Sequence, residues 1–122
     1  MKIRKFNESE GFNQSVKDIF SYVVDEFNGY TMVGDDSITF KFDIESDYDQ
    51  KDFRNLYNGI KLYESYLSIM NGLVECLEKL SIYSDVYYHF SITPNGSKLS
   101  QVLISISDRP QYNNMIYLQK KV

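Results

Sequence analysis

Two stretches of the chain repeat apolar residues at the three-and-four spacing of one helix face, and others alternate apolar and polar residues as strands do. The helical stretches are residues 15–28 and about 53–80, and the strand-like stretches are the hairpin 30–44 and the segments 85–93, 99–107 and 115–121. This order predicts an α+β fold, a two-layer sandwich with two helices on one face of an antiparallel sheet of four to five strands (α-β-β-α-β-β-β).

The first predicted helix has clear boundaries. Ser15 followed by Asp18 resembles a capping box at its start, and Asn28-Gly29 ends it because Gly tolerates the left-handed conformation. The preceding residues 1–12 show no apolar periodicity that joins them to this helix. We therefore expect a mobile tail or an edge strand over 1–12, followed by a single α+β domain over 13–122.

The second predicted helix carries two apolar rows, which together make a wide apolar face. The first row is Leu56, Ile60, Tyr63, Leu67, Met70, Val74 and Leu77, and the second is Leu62, Tyr66, Ile69, Leu73 and Leu80. We expect the first row to be core. One sheet face is too narrow for both, so the second row predicts a partner contact or a homodimer through helix 53–80. Gly59 and Gly72 indicate a kink, a break or a close approach to another backbone.

Charge is unevenly distributed along the 122 residues, whose net charge is −4. Residues 11–52 hold ten acidic and three basic side chains. Binding nucleic acid requires Lys and Arg to replace counterions, so this distribution argues against direct nucleic-acid binding. It suits a basic protein partner or serves only to keep the protein soluble. The absence of Ala, with abundant Ile, Asn, Lys and Tyr, is typical of an AT-rich genome.

Acidic residues concentrate around the first predicted hairpin and the loop after it. An EF-hand register that starts at Asp43 or Asp47 lacks the Gly and Glu such a loop needs, so a solvated acidic turn is favoured over a metal site. We predict partner binding by these acids together with a tyrosine of the second helix: Asp35, Asp36, Asp43, Glu45, Asp47, Asp49 and Tyr66.

Few residues are suited to catalysis. His89 is the only histidine and falls on the polar side of a strand, and Cys76 falls within an apolar helical pattern, as a small buried hydrophobe would. The chain contains no G-x-G-x-x-G, P-loop, C-x-x-C or H-E-x-x-H motif and no G-x-S-x-G elbow. We therefore expect a protein that is not an enzyme and uses no cofactor or metal.

The opening segment KIRKFNES resembles the start of many small uncharacterised proteins of tailed bacteriophages. It is also loosely similar to the capsid-targeting segments of phage internal head proteins, which direct a protein into the assembling head. In that family a phage protease cuts after a bulky-x-Glu triplet, ahead of a small residue. Phe6, Glu8 and Ser9 match that pattern, so the resemblance implies a phage source and a processing site after Glu8.

These observations predict a small bacteriophage accessory protein that acts by protein–protein binding on a host or phage protein, one form being an inhibitor of a host factor or defence. The alternative is a virion component packaged through the N-terminal segment. No apolar stretch is long enough to span a bilayer, and no apolar segment of a secretory signal follows KIRK. We expect the protein in the host cytoplasm or, for the alternative, in the virion, with no membrane contact.

Overall fold

The computed structural model describes residues 2–45, 56–95, 99–111 and 114–118. These ranges contain two helices and five strands. Within these ranges, side chains are described except those of residues 2–10, 45, 56, 58–62, 93–95, 99 and 100. The elements are α1 (Lys2–Glu26), β1 (Tyr30–Val33), β2 (Ile38–Glu45), α2 (Leu56–Ser81), β3 (Tyr87–Asn95), β4 (Leu99–Ser107) and β5 (Ile116–Tyr117). The predicted α+β class and element order are confirmed.

Helix α1 begins at Lys2, well before the predicted start at Ser15. The expectation of an edge strand over residues 1–12 is therefore wrong from Lys2 onwards, because these residues are helical. The physical reason is visible at Phe12, which is buried and lies one helical turn before the buried Val16. The apolar stripe thus starts before Ser15, and no proline interrupts the backbone hydrogen bonds upstream of it.

The end of α1 is a Schellman motif. Asn28 adopts φ 53°, and it is the only described residue other than glycine with a positive φ. The Gly29 amide donates to the Val24 carbonyl at 2.8 Å, which closes the last turn. Asn28 rather than Gly29 therefore takes the left-handed position that ends the helix.

The five strands form one antiparallel sheet in the order β1-β2-β4-β3-β5. The register places Phe40 of β2 opposite Ile104 of β4, and Ile104 opposite Phe90 of β3. Alternation then directs the apolar positions of the three central strands to one face, where the helices pack, and leaves the polar positions on the other face.

The two apolar rows of α2 are covered differently from what the sequence predicts. Ile69, Leu73 and Leu80 of the second row are buried, whereas Tyr63, Leu67 and Val74 of the first row are 64%, 39% and 50% exposed. The expectation that the first row is core is wrong for these three residues. Both rows follow the three-and-four spacing of a helix face, so the spacing does not distinguish them, and the position of α1 decides which residues are covered.

Helix α1 packs along one flank of α2. A Cβ placed on Gly72 would stand 3.1 Å from Cγ2 of Val23. Of the alternatives predicted for Gly72, the structure thus shows a close approach, and it is made to a side chain of α1 rather than to its backbone. On the same flank the Cys76 thiol donates to the Ile19 carbonyl at 3.4 Å. No helix within the described ranges is both long and apolar enough to cross a membrane.

Candidate functional site

An apolar groove of about 160 Å³ runs between the outer flank of α2 and the sheet. It is lined by Met70, Leu73, Val74, Leu77, Tyr88, Phe90 and Ile104. Because α1 occupies the opposite flank of α2, nothing in the described part of the chain lies over this side of the helix. Of the exposed α2 row (Tyr63, Leu67 and Val74), Val74 lines the groove, and Tyr63 and Leu67 precede it along the helix.

The floor of the groove is an incompletely covered part of the sheet. The helix-facing residues of β2 and β4 are all buried, whereas on β3 Tyr88 and Phe90 are half-buried and Ile92 is 42% exposed. Two helices cover a five-stranded sheet incompletely: the surface beyond α2 is open, and so is β1 at the opposite edge of the sheet, where all four residues are exposed. An exposed apolar surface of this kind, bordered by polar residues, is typical of an interaction site.

The structure does not bring the predicted acidic residues together. Asp35 and Asp36 are exposed in the turn between β1 and β2, whereas Asp43 lies near the other end of β2. Asp36 and Asp43 are seven positions apart, and most of the intervening residues belong to β2, so they are separated by at most about 24 Å along the strand direction. The backbone of Glu45 ends β2, and Asp47 and Asp49 lie outside the described residues. The acids form two separate surfaces.

Asp43 belongs to a polar group at the β2–β4 end of the sheet. The Gln101 side-chain amide donates to Asp43 Oδ1 at 3.1 Å and to the Tyr30 hydroxyl oxygen at 3.3 Å. Asp43 and Glu64 also line a second, wider cleft of about 540 Å³. The described residues contain no group of three or more His, Cys, Asp or Glu side chains that could hold a metal ion.

Tyr66, predicted to bind a partner, is half-buried and packs against the core. The tyrosine of α2 that reaches solvent in the exposed row is Tyr63. The two residues lie on adjacent faces of α2. The face that carries Tyr66 packs against the core, so Tyr63 and not Tyr66 reaches solvent. Hydrophobic periodicity alone does not show which of the two tyrosines is exposed.

The predicted processing residues Phe6, Glu8 and Ser9 all lie within α1. Proteases bind their substrates as extended chains, so cleavage after Glu8 would require the first turns of α1 to unwind. The structure thus places the processing pattern in regular secondary structure.

His89 lies on the sheet face opposite the helices, in register with Ser105 of β4. It lines neither the groove nor the wider cleft.

Cys76 is fully buried, as predicted for a small core residue. Burial raises the pKa of its thiol above the ordinary value, which keeps the group protonated and unreactive. Beside it, the Tyr22 hydroxyl donates to Glu75 Oε2 at 3.0 Å, and Lys79 Nζ lies 5.5 Å from the centroid of the Tyr22 ring. These contacts hold α1 against α2, so the residues that make them have a structural role.

Comparison of the chain with protein family models, curated proteins and solved structures gives no match.

Proposed function

We propose that this protein is a non-enzymatic accessory protein that acts by binding another protein, and that the apolar groove with the exposed α2 row is its binding surface. The observation that carries the proposal is the exposure of Tyr63, Leu67 and Val74 beside a groove lined by apolar side chains. Tyrosine suits this role because it brings a large contact area with a polar tip.

The acidic surfaces support the same function in a secondary role. Asp35 and Asp36 are exposed at one end of the sheet and Asp43 at the other, so neither cluster makes a large continuous contact by itself. Exposed carboxylates at the edge of an interface steer a basic partner towards it and raise the association rate more than the affinity. We therefore assign the affinity to the groove and the steering to the acids.

The resemblance of KIRKFNES to the starts of phage proteins supports a phage source, with a host or phage protein as the partner. Binding and inhibiting a host factor is one form of this function. The alternative, packaging into the virion with cleavage after Glu8, is less favoured because Phe6, Glu8 and Ser9 are helical. Mass spectrometry of purified particles separates the two: packaging with processing predicts a mature chain that begins at Ser9.

Affinity capture from phage-infected host cells tests the proposal when matched variants are compared. Val74→Glu places a charge on the exposed row, and Val33→Glu makes the same substitution on β1 at the opposite edge of the sheet; the two valines are 50% and 56% exposed. We expect a partner that is captured by the wild type and by Val33→Glu and is lost with Val74→Glu. A captured partner that is indifferent to Val74→Glu would contradict the groove as the binding surface.

A charge-reversal variant completes the comparison. Replacing Asp35, Asp36 and Asp43 with Lys should slow association and weaken its salt dependence while capture at equilibrium falls only moderately. If this variant abolishes capture and Val74→Glu does not, the acidic surfaces rather than the groove hold the partner.

A further inference from the structure

Strand β1 forms one edge of the sheet, and its outer side has no strand partner among the described residues. All four of its residues are exposed, and three of them are large and apolar: Tyr30, Met32 and Val33. Edge strands are commonly protected from pairing with another chain by charged side chains, proline or a bulge. Although β1 is short, it contains no charged residue, no proline and no interruption of its register with β2.

The turn after β1 shows which backbone groups the strand leaves open. The Gly34 amide donates to the Ser37 carbonyl at 2.8 Å, so the backbone groups of Gly34 point towards β2. In an antiparallel strand both backbone groups of a residue point to one side, and those of the next residue point to the other. The N–H and C=O groups of Thr31 and Val33 therefore lie on the outer edge. These two residues offer two donors and two acceptors to an added strand.

An added strand would meet apolar side chains on both faces of the sheet. Val33 is paired with the buried Ile38, so it lies on the face that the helices cover. Alternation places Tyr30 and Met32 on the opposite face. Strand addition obtains affinity from the main chain and specificity from side chains at alternate positions. Apolar residues in the centre of the added strand therefore fit on either face.

The surroundings of β1 are acidic at both ends. Two exposed carboxylates, Asp35 and Asp36, lie in the turn that follows the strand. Two more, Asp25 and Glu26, lie in the last turn of α1 just before it, where the carbonyl end of the helix adds a partial negative charge. Lys41 of β2 is the one basic residue that is paired with β1. An added strand that carries Lys or Arg at both ends would complement these charges.

The same charges argue against a second copy of this chain as the occupant. Two β1 strands related by a two-fold axis would pair antiparallel, which places the turn after β1 of one copy beside the end of α1 of the other. Asp35 and Asp36 would then approach Asp25 and Glu26 of the other copy, and like charges at an interface are unfavourable.

We infer that the edge of β1 is a second binding surface, which binds an extended segment of a partner protein with an apolar centre and Lys or Arg at both ends. The segment adds to the sheet beside β1 and hydrogen-bonds to the backbone of Thr31 and Val33. This inference goes beyond the proposed function, because the apolar groove lies over β3 and β4 and not over β1. Either surface can therefore fail its test without the other.

Selection from a library of short random linear peptides tests the inference, with the full-length protein as bait and Thr31→Pro for counter-selection. Proline removes the outward N–H of Thr31 without removing a hydrogen bond between β1 and β2, and an edge strand tolerates it at such a position. We expect enriched peptides with an apolar centre and Lys or Arg on both sides. Their affinity should fall about tenfold or more with Thr31→Pro. It should stay unchanged with Thr31→Ala, which keeps the amide, and with Val74→Glu in the groove.

Two further readouts do not depend on the folding of the proline variant. The most enriched peptide should slow hydrogen exchange of the Thr31 and Val33 amides in the wild type. Its affinity should also fall about threefold or more, with a weaker salt dependence, when Asp35→Asn and Asp36→Asn are combined.

Peptides that bind Thr31→Pro as well as the wild type, peptides that leave the Thr31 and Val33 amides unprotected, or an absence of enrichment would overturn strand addition at β1. Enriched peptides without Lys or Arg, or indifferent to the two Asn substitutions, would overturn the basic ends of the ligand. Self-association of the chain that is lost with Thr31→Pro would assign the edge to a second copy and overturn the partner segment.

Discussion

The rings of Phe20 and Phe40 stack with their centroids 4.9 Å apart and their planes inclined by 9°. Phe20 comes from α1 and Phe40 from the centre of β2, and both are fully buried. The pair joins the first helix to the sheet at a point where the two layers share one core. Aromatic pairs of this kind add about 0.5–1.5 kcal/mol to the contribution of the area they bury.

Truncating Phe20 should therefore be among the most destabilising changes in the chain. We expect Phe20→Ala to lower the free energy of unfolding by about 3–5 kcal/mol, and Phe20→Leu by less because it leaves a smaller cavity. Urea denaturation followed by circular dichroism measures both. Tyr83→Leu, at a side chain that is 77% exposed, is the control and should change the unfolding free energy by less than about 0.5 kcal/mol. Equal effects at Phe20 and Tyr83 would contradict the packing of α1 on β2.

The left-handed conformation of Asn28 leads to a stabilising substitution. A residue with a Cβ is strained at φ 53°, and glycine is not, so Asn28→Gly should raise the free energy of unfolding by about 0.5–1 kcal/mol. Asn28→Ala should lower it by about 1 kcal/mol because Ala tolerates this region less well than Asn. Asn114→Gly is the control, since Asn114 has no positive φ and gains no strain relief. Stabilisation by both glycine substitutions would refute the Schellman motif as the cause.

Two glycines, one inside α1 and one just past its end, should respond to alanine in opposite directions. A Cβ on Gly29 would overlap the Phe42 ring, so Gly29→Ala should lower the free energy of unfolding by about 1–3 kcal/mol. A Cβ on Gly11 would meet nothing within 4 Å, and Gly11 lies inside α1, so Gly11→Ala should raise it by about 1 kcal/mol. Thermal and urea unfolding measure both shifts. A neutral Gly11→Ala would show that α1 does not extend upstream of Phe12.

Much of the architecture could be predicted from local patterns, because alternation at Phe40 or Phe90 reports which side of a strand is buried. The register confirms that the predicted faces of β2, β3 and β4 are combined in one core. The step of one helical turn from Phe12 to Val16 extends the apolar stripe of α1 before Ser15, which marks only an internal position of the helix and not its start. Its residues upstream of Phe12 carry no such signal.

The candidate site was harder to predict because it is created by tertiary arrangement. Val74 and Leu73 are adjacent in the chain and equally apolar, and α1 and the sheet bury one and expose the other. The acids Asp36 and Asp43 look like one cluster in the sequence, but the length of β2 holds them apart. The pairing of β5 with Tyr87 and Tyr88 of β3 is tertiary as well, and no residue pattern in β3 reveals it.

The buried Cys76 thiol makes stability depend on pH in the alkaline range. Burial raises the pKa of Cys76 above its ordinary value of 9.0, so between these two pKa values the unfolded chain releases a proton that the folded chain keeps. The stabilisation is therefore complete below pH 9 and is lost as the pH rises towards the folded-state pKa, by at most about 1.4 kcal/mol per pH unit. Urea denaturation under reducing conditions at a series of pH values measures this slope. Cys76→Val removes the titrating group while keeping an apolar side chain, and its unfolding free energy should fall less steeply just above pH 9. An unchanged slope in that variant would show that the Cys76 thiol ionises as readily in the folded protein as in the unfolded chain.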